Sequence, residues 1–184
     1  MYFPVSLKVG GERCLVVGGG AVALRKARSL LQAGARVTAV SPSFAPRFPR
    51  VRRLRRAFRA GDVRGCVLVI AATDDPRTNR AVHSACRRRG IPVNVVDVPE
   101  LCTFIVPSVA RRGSVTVAVS TGGLSPSLAK ALRERIEGVL PASLGRLARS
   151  AGARRRVLLR SLPASSRRTQ LLKALGRLSK AGAR

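Results

Sequence analysis

Side chains able to do acid–base or ligand chemistry are scarce in this chain of 184 residues, which has 36 Lys and Arg but only eight Asp and Glu and a single His. Three of the carboxylates fall at the ends of two apolar runs. Asp74 and Asp75 follow Cys66 to Ala71 (CVLVIA) within Thr73-Asp74-Asp75-Pro76, and Asp97 follows Pro92 to Val96. A third cluster has no ionisable group at all. Gly18-Gly19-Gly20-Ala21-Val22-Ala23 reads G-x-G-x-x-A and sits directly between the apolar run Arg13 to Val17 (RCLVV) and a helical pattern from Val22 to Leu31. A strand, a glycine turn and a helix in that order make a seat for a pyrophosphate: Gly18 permits the tight turn, Gly20 admits a phosphate to the backbone, and Ala23 keeps helix and strand close. No Gly-Lys-Ser/Thr follows, which excludes a P-loop.

These residues need a sheet to position them. Ala33-Gly34 closes the first helix, and Arg36 to Val40 (RVTAV) is a second strand ending at Ser41-Pro42-Ser43, so residues 13–40 form a βαβ unit. Seven arginines lie between Arg47 and Arg59 around Val51, Leu54 and Phe58, and the segment is read as an edge strand. The uninterrupted run at 66–71 predicts a strand covered on both faces. A helix over 77–89, ended by Gly90, and a strand over 92–96 complete a Rossmann-like, doubly wound parallel α/β domain. Ligands in such sheets bind beyond the carboxyl ends of the strands, so the loops at 73–76 and 97–102 face the cofactor crevice. Asp75 and Asp97 then read in two ways: as turn and cap residues ahead of Pro76 and Pro99, or as carboxylates poised for proton transfer.

The second half differs. Val115 to Val119 (VTVAV) is a strand outside the main sheet, Ser120-Thr121-Gly122-Gly123 a loop, and Ser125-Pro126 the start of a helix to about Gly138. A lone strand needs a partner, which predicts a homodimer. Beyond Pro141 there are 12 basic residues and no acidic one, with apolar positions at Leu144, Leu147, Val157, Leu158, Leu162, Leu171, Leu172, Leu175 and Leu178, so two or three short amphipathic helices are expected. The expected division is 1–112 for the nucleotide domain, 113–140 for a dimerisation segment and 141–184 for a basic helical tail.

Composition excludes several classes. The formal charge of +28 comes with 46% apolar residues, too many for a disordered basic tail. Aromatics at 3% are too few for a base-stacking nucleic-acid surface, and 31 of the basic residues are Arg, as an Arg-rich genome would give. No apolar run is long enough to span a membrane, and Met1-Tyr2-Phe3-Pro4 lacks a signal peptide's layout, so a cytoplasmic protein is expected. Cys14, Cys66, Cys86 and Cys102 stand singly, without metal-ligand spacing, and His83 falls mid-helix beside Val82 and Cys86; all read as structural, and no stable metal site is expected. The acidic residue that ordinarily binds the adenosine ribose is absent, since no Asp or Glu occurs between Glu12 and Asp62. With Arg47 near the end of the second strand, this motif leaves NAD and NADP both open.

Taken together, Cys14 to Ala27, Ala71 to Asp75, Asn94-Val95-Val96-Asp97 with Pro99-Glu100-Leu101-Cys102, Phe104 to Ser108, and Ser120 to Pro126 resemble the precorrin-2 dehydrogenase / sirohydrochlorin ferrochelatase family, the N-terminal module of sirohaem synthases. The resemblance runs from about Tyr2 to Pro141. It implies NAD-dependent oxidation of precorrin-2 to sirohydrochlorin, with ferrous iron as a further substrate in members that also chelate. It also implies a Rossmann domain, a small dimerisation segment, a helical C-terminal region and a homodimer. By the resemblance Asp97 is the essential carboxylate, and the family's cofactor contacts fall on Ala21, Val22, Pro42, Ser43, Ala72, Thr73 and Asp74, beside the motif residues Gly18, Gly19, Gly20 and Ala23. Ser120, Thr121, Gly122 and Gly123 are the corresponding substrate contacts. With the sequence stopping at Arg184, uroporphyrinogen methylation is not expected of it. An NAD-sensing regulatory protein, or a nucleic-acid-binding Rossmann protein without catalysis, is the competing reading.

Overall fold

The computed structural model describes residues 2–181, with the side chains of 175–181 left aside. The chain divides into two compact units, Met1–Val106 and Pro107–Arg184.

The first unit is built on a five-stranded parallel sheet of order β3-β2-β1-β4-β5. Its strands are β1 (Arg13–Val17), β2 (Arg36–Val40), β3 (Arg52–Leu54), β4 (Leu68–Ala71) and β5 (Val93–Val95). Alternation along β1 divides the core in two. Cys14 and Val16 face a cluster holding Ala23, Ala27 and Leu30 of α1 (Ala21–Gln32), while Leu15 and Val17 face one holding Val82, Ala85 and Cys86 of α2 (Pro76–Arg87). One helix on each face is the doubly wound arrangement that the apolar runs predict. Two of the three buried residues of α1 are alanines, Ala23 and Ala27, which lets helix and sheet approach closely. Burial pushes the Cys14 and Cys86 thiols up to about 11, which makes them core residues with no nucleophilic role at neutral pH.

The arginine-rich segment is an edge strand only over Arg52–Leu54. Before it, Phe44 and Phe48 pack edge to face, with centroids 4.9 Å apart. After it, the crossover to β4 has no helix. It is closed by Asp62, whose carboxylate accepts two hydrogen bonds from the Arg56 guanidinium and one from the Arg59 N–H.

The second unit corrects two expectations. The strand Val115–Val119 (β7) is not alone: Ser108–Arg112 forms β6, antiparallel to it, with Arg112 opposite Val115. The turn is Gly113 and Ser114, with Gly113 at φ 61°, a hairpin signal that reads in the sequence as a domain boundary. The hairpin thus lies wholly within the second compact unit, which starts at Pro107, and an unpaired strand no longer argues for a dimer. The hairpin packs against α3 (Pro126–Val139), capped by the Ser125 hydroxyl, and the tail forms two helices, α4 (Leu144–Ser161) and α5 (Ser166–Ala181). Of the apolar tail positions, Leu144, Leu147, Leu158, Leu162 and Leu172 are half-buried, Val157 and Leu171 are exposed, and the side chains of Leu175 and Leu178 lie outside the described residues.

Glu137 of α3 is bonded by Arg133 one turn back and by Arg112 of β6, and these guanidiniums hold its carboxyl below the ordinary carboxylate value. A depressed folded-state value contributes stability that is present above the unfolded pKa and is lost as pH falls through the folded one. Glu137→Gln is therefore expected to lower the thermal midpoint at neutral pH and to reduce the fall in midpoint when wild type is taken from about pH 6 to below pH 4. Thermal scans of both proteins across that range check it.

Candidate functional site

The strand order reverses between β1 and β4, and the glycine turn sits at the carboxyl end of β1 at that reversal. Gly18 donates its N–H to the Val40 carbonyl and has φ 118°, and a Cβ placed on it would lie 2.2 Å from the Ala72 carbonyl oxygen. Gly19 accepts from the Ala45 N–H, and a Cβ there would lie 1.8 Å from the Ser43 oxygen. The loops after β4 and β2 thus press on Gly18 and Gly19 from two sides. Gly20 is different: a Cβ there would meet nothing within 4 Å, and its backbone is one that any residue adopts. Gly20 is also the N-cap of α1 and supplies no side-chain cap, whereas α2 is capped by Asp75 and α3 by Ser125. Open space in front of an uncapped helix N-terminus is what a pyrophosphate between these two strands needs.

The residues expected at the cofactor edge come together here. Ala21 is exposed and Val22 half-buried at the first turn of α1, and Ala23 is fully buried beneath them. Pro42 and Ser43 are exposed after β2, while Ser41 is buried beside the glycine turn. Ala72 and Thr73 lie half-buried against Gly18, with Asp74 exposed beyond them. The Thr73 hydroxyl is occupied within the turn, accepting from the Asp75 N–H at 3.1 Å and lying 3.2 Å from Asn79 Oδ1. Asp75 is the helix cap of its first reading: its carboxylate accepts from the N–H groups of Arg77 and Thr78 and from the Thr78 hydroxyl.

Asp97 caps no helix and stands in the turn after β5. It lies exposed just beyond β5, at the same edge of the sheet, with a left-handed backbone at φ 60°. No hydrogen bond fixes its side chain among the described residues. Ser120 to Gly123 belong to the second unit, where the Thr121 hydroxyl bonds the N–H and C=O of Ser125 and the Ser120 hydroxyl accepts from the Gly122 N–H. His83 is structural, its Nδ1 lying 2.8 Å from the Leu101 carbonyl.

Residues 5–108 match the family described as putative NAD(P)-binding, and residues 112–138 match the sirohaem biosynthesis protein central family. The chain belongs to the precorrin-2 dehydrogenase and sirohaem synthase family. Within that family it is 51% identical over 154 residues to the sirohaem synthase of Nitrosomonas eutropha and 54% identical over 153 residues to that of Thioalkalivibrio sulfidiphilus. Each alignment covers 80% of this chain, which spans about a third of these relatives' length (32% and 31%). The solved structure of SirC, a precorrin-2 dehydrogenase, superposes with a TM-score of 0.73 at 27% identity, covering 95% of this chain and 89% of that one. The first unit is accordingly a nicotinamide-dinucleotide domain, and its glycine turn fits that cofactor.

Two features of the glycine turn and its helix escape the motif. Gly19, the variable position of G-x-G, is the most tightly packed of the three glycines. Lys26 is half-buried on α1; burial first, then Arg25, pushes its ammonium below the ordinary value, while Asp97 and Cys102 oppose that shift. A cation among the positions 23, 26, 27 and 30 of a helix's buried stripe is a signal the sequence carries.

The glycines give a test that separates packing from ligand contact. Gly20→Ala is expected to keep the thermal midpoint while weakening NAD binding by at least about tenfold. Gly19→Ala is expected to destabilise the fold by about 1–3 kcal/mol, because the Ser43 backbone must move. Calorimetric titration with NAD and thermal unfolding of both variants read the two effects.

Proposed function

We propose that the chain catalyses the NAD-dependent oxidation of precorrin-2 to sirohydrochlorin, a step of sirohaem synthesis, with Asp97 as the proton acceptor. The observation that carries this reading is the placement of Asp97 at the same carboxyl edge of the sheet as the glycine turn, in a chain with only eight acids. Oxidation removes a hydride and a proton from the reduced macrocycle. NAD, when bound, supplies the two-electron acceptor. The chain's own residues do the rest. The backbone at Gly20, Ala21 and Val22 would hold the pyrophosphate, with Gly18, Gly19 and Ala23 packed behind it, Pro42 and Ser43 would border the ribose, and Ala72 to Asp74 would line the crevice beside the reversal point. Asp97 takes the proton as the hydride leaves, and its exposure gives a large macrocycle access. Ser120 to Gly123 contact the substrate in this reading, and the excess of arginines steers a polycarboxylate tetrapyrrole toward the protein.

The anaerobic reaction of the purified protein with precorrin-2 and NAD tests this. NAD-dependent growth of the sirohydrochlorin absorbance is expected, and Asp97→Ala is expected to lower its rate by at least about 100-fold while leaving NAD affinity unchanged. No oxidation above the enzyme-free control would sink the dehydrogenase assignment. Ferrous iron added to the same cuvette then reads whether metal insertion is accelerated.

We also infer that the protein is a homodimer. Leu128, Leu132 and Val139 form one exposed apolar stripe along α3, next to exposed Leu124, and β6 and β7 pair only with each other among the described residues. Sedimentation is expected to give a dimer for wild type and a monomer for the double variant Leu128→Glu/Leu132→Glu; a wild-type monomer at micromolar concentration would contradict it. Four free cysteines and no bridge among them agree with a reducing compartment, the cytoplasm. No helix among the described residues is long and apolar enough to cross a membrane.

A further inference from the structure

β5 is the last strand of its sheet, so the N–H groups of Val93 and Val95 have no strand to bond on their outer side. Side chains from the returning chain take that place. Thr103 Oγ1 accepts from the Val93 N–H at 2.8 Å, and Cys102 Sγ accepts from the Val95 N–H at 3.2 Å. The same sulfur accepts from Asn94 Nδ2 at 3.4 Å and lies 3.1 Å from the Val95 carbonyl and 3.4 Å from that of Val98, to either of which its S–H donates. Further bonds run from Asn94 Nδ2 to the Phe104 carbonyl at 3.0 Å and between His83 and Leu101. Backbone bonds also close residues 95–102 into a loop, from the Val98 N–H to the Val95 carbonyl at 3.3 Å and from the Leu101 N–H to the Val98 carbonyl at 3.1 Å, and Cys102 adds the one side chain bonded to both Val95 and Val98, which bracket its apex. Asp97 stands at that apex at φ 60°.

We propose that the Cys102 thiol is a positioning residue that sets the direction of the Asp97 carboxylate by holding Val95 and Val98 to a single point. With no hydrogen bond on the Asp97 side chain among the described residues, the direction of that carboxylate is set by its backbone, which the thiol holds together with the bond from the Val98 N–H to the Val95 carbonyl. The proposal rests on the reading of Asp97 as proton acceptor. The chemistry of the thiol suits this role. Burial, aided by Glu100 and opposed by the Val95 N–H and Lys26, pushes it above its ordinary value, so it keeps its proton at neutral pH and both donates and accepts.

A pair of variants separates this role from simple packing. If Cys102 only filled space, Ala would be the milder replacement and Ser the worse, since Ser buries a hydroxyl in an apolar setting. A positioning thiol reverses the order. Cys102→Ser is expected to retain most of kcat, while Cys102→Ala lowers kcat by about tenfold or more with KM for NAD within about twofold. In an Asp97→Asn background Cys102→Ala is expected to add nothing to the residual rate, because it acts through the carboxylate. Deuterium exchange at the Val95 amide is expected to be slow in wild type and in Cys102→Ser and at least about tenfold faster in Cys102→Ala. An unchanged kcat in Cys102→Ala, or Ser falling below Ala, would overturn the proposal while leaving the dehydrogenase reading intact. Wild type without turnover would remove the dehydrogenase reading, and amide exchange would still decide whether the thiol holds the loop.

Discussion

Everything at the cofactor edge depends on one steric constraint, the crossing of three backbones at Gly18 and Gly19. The carbonyls of Ala72 and Ser43 occupy the space where Cβ atoms would stand, so the loops after β4 and β2 close on the end of β1 only because it carries no side chains there. A dense crossing of this kind leaves no slack. It fixes the start of α1 against the loops that border the crevice. The open volume is left at Gly20 alone, in front of helix N–H groups that no side chain caps. Packing and ligand room are thus assigned to adjacent residues of one tripeptide.

The carboxyl end of β5 is set by a different interaction, the satisfaction of an exposed strand edge. An edge strand presents unpaired N–H groups, and β5 meets that requirement with a hydroxyl and a thiol in place of a sixth strand. Side-chain acceptors let the chain turn sharply away at Val96, which a continued ladder would not allow. Asp97 is the product of that turn. Its left-handed backbone is tolerated by Asp better than by bulkier residues, and the loop bonds compensate the remaining strain. The carboxyl edge of the sheet therefore depends on van der Waals exclusion at β1 and on hydrogen-bond satisfaction at β5.

The first domain was largely legible in the sequence because its signals are local. The apolar runs at 13–17, 36–40 and 66–71 lie between turn residues, and the glycine motif falls between a strand and a helix. The β6–β7 hairpin was half hidden, since Ser108–Arg112 (SVARR) lacks the β-branched run of its partner and its pairing is a tertiary fact. Asp75 and Asp97 could not be told apart by type or spacing, because one caps α2 and the other stands at a loop apex. The loop that carries Asp97 is closed by backbone bonds and by the Cys102 and Thr103 contacts with β5, which no periodicity reports. The packing role of Gly19 was hidden for a related reason: a motif names the residues a ligand needs, and the close approach of Ser43 arises from within the fold.

In the proposed function the glycine turn and the Asp97 loop face one bound dinucleotide. A crystal structure of the protein with NAD tests it most directly. The pyrophosphate is expected at the backbone of Gly20, Ala21 and Val22, and the nicotinamide ring in the crevice with its reactive carbon open to the side on which Asp97 stands. A pyrophosphate seated away from the N-terminus of α1, or a nicotinamide walled off from Asp97, would contradict it.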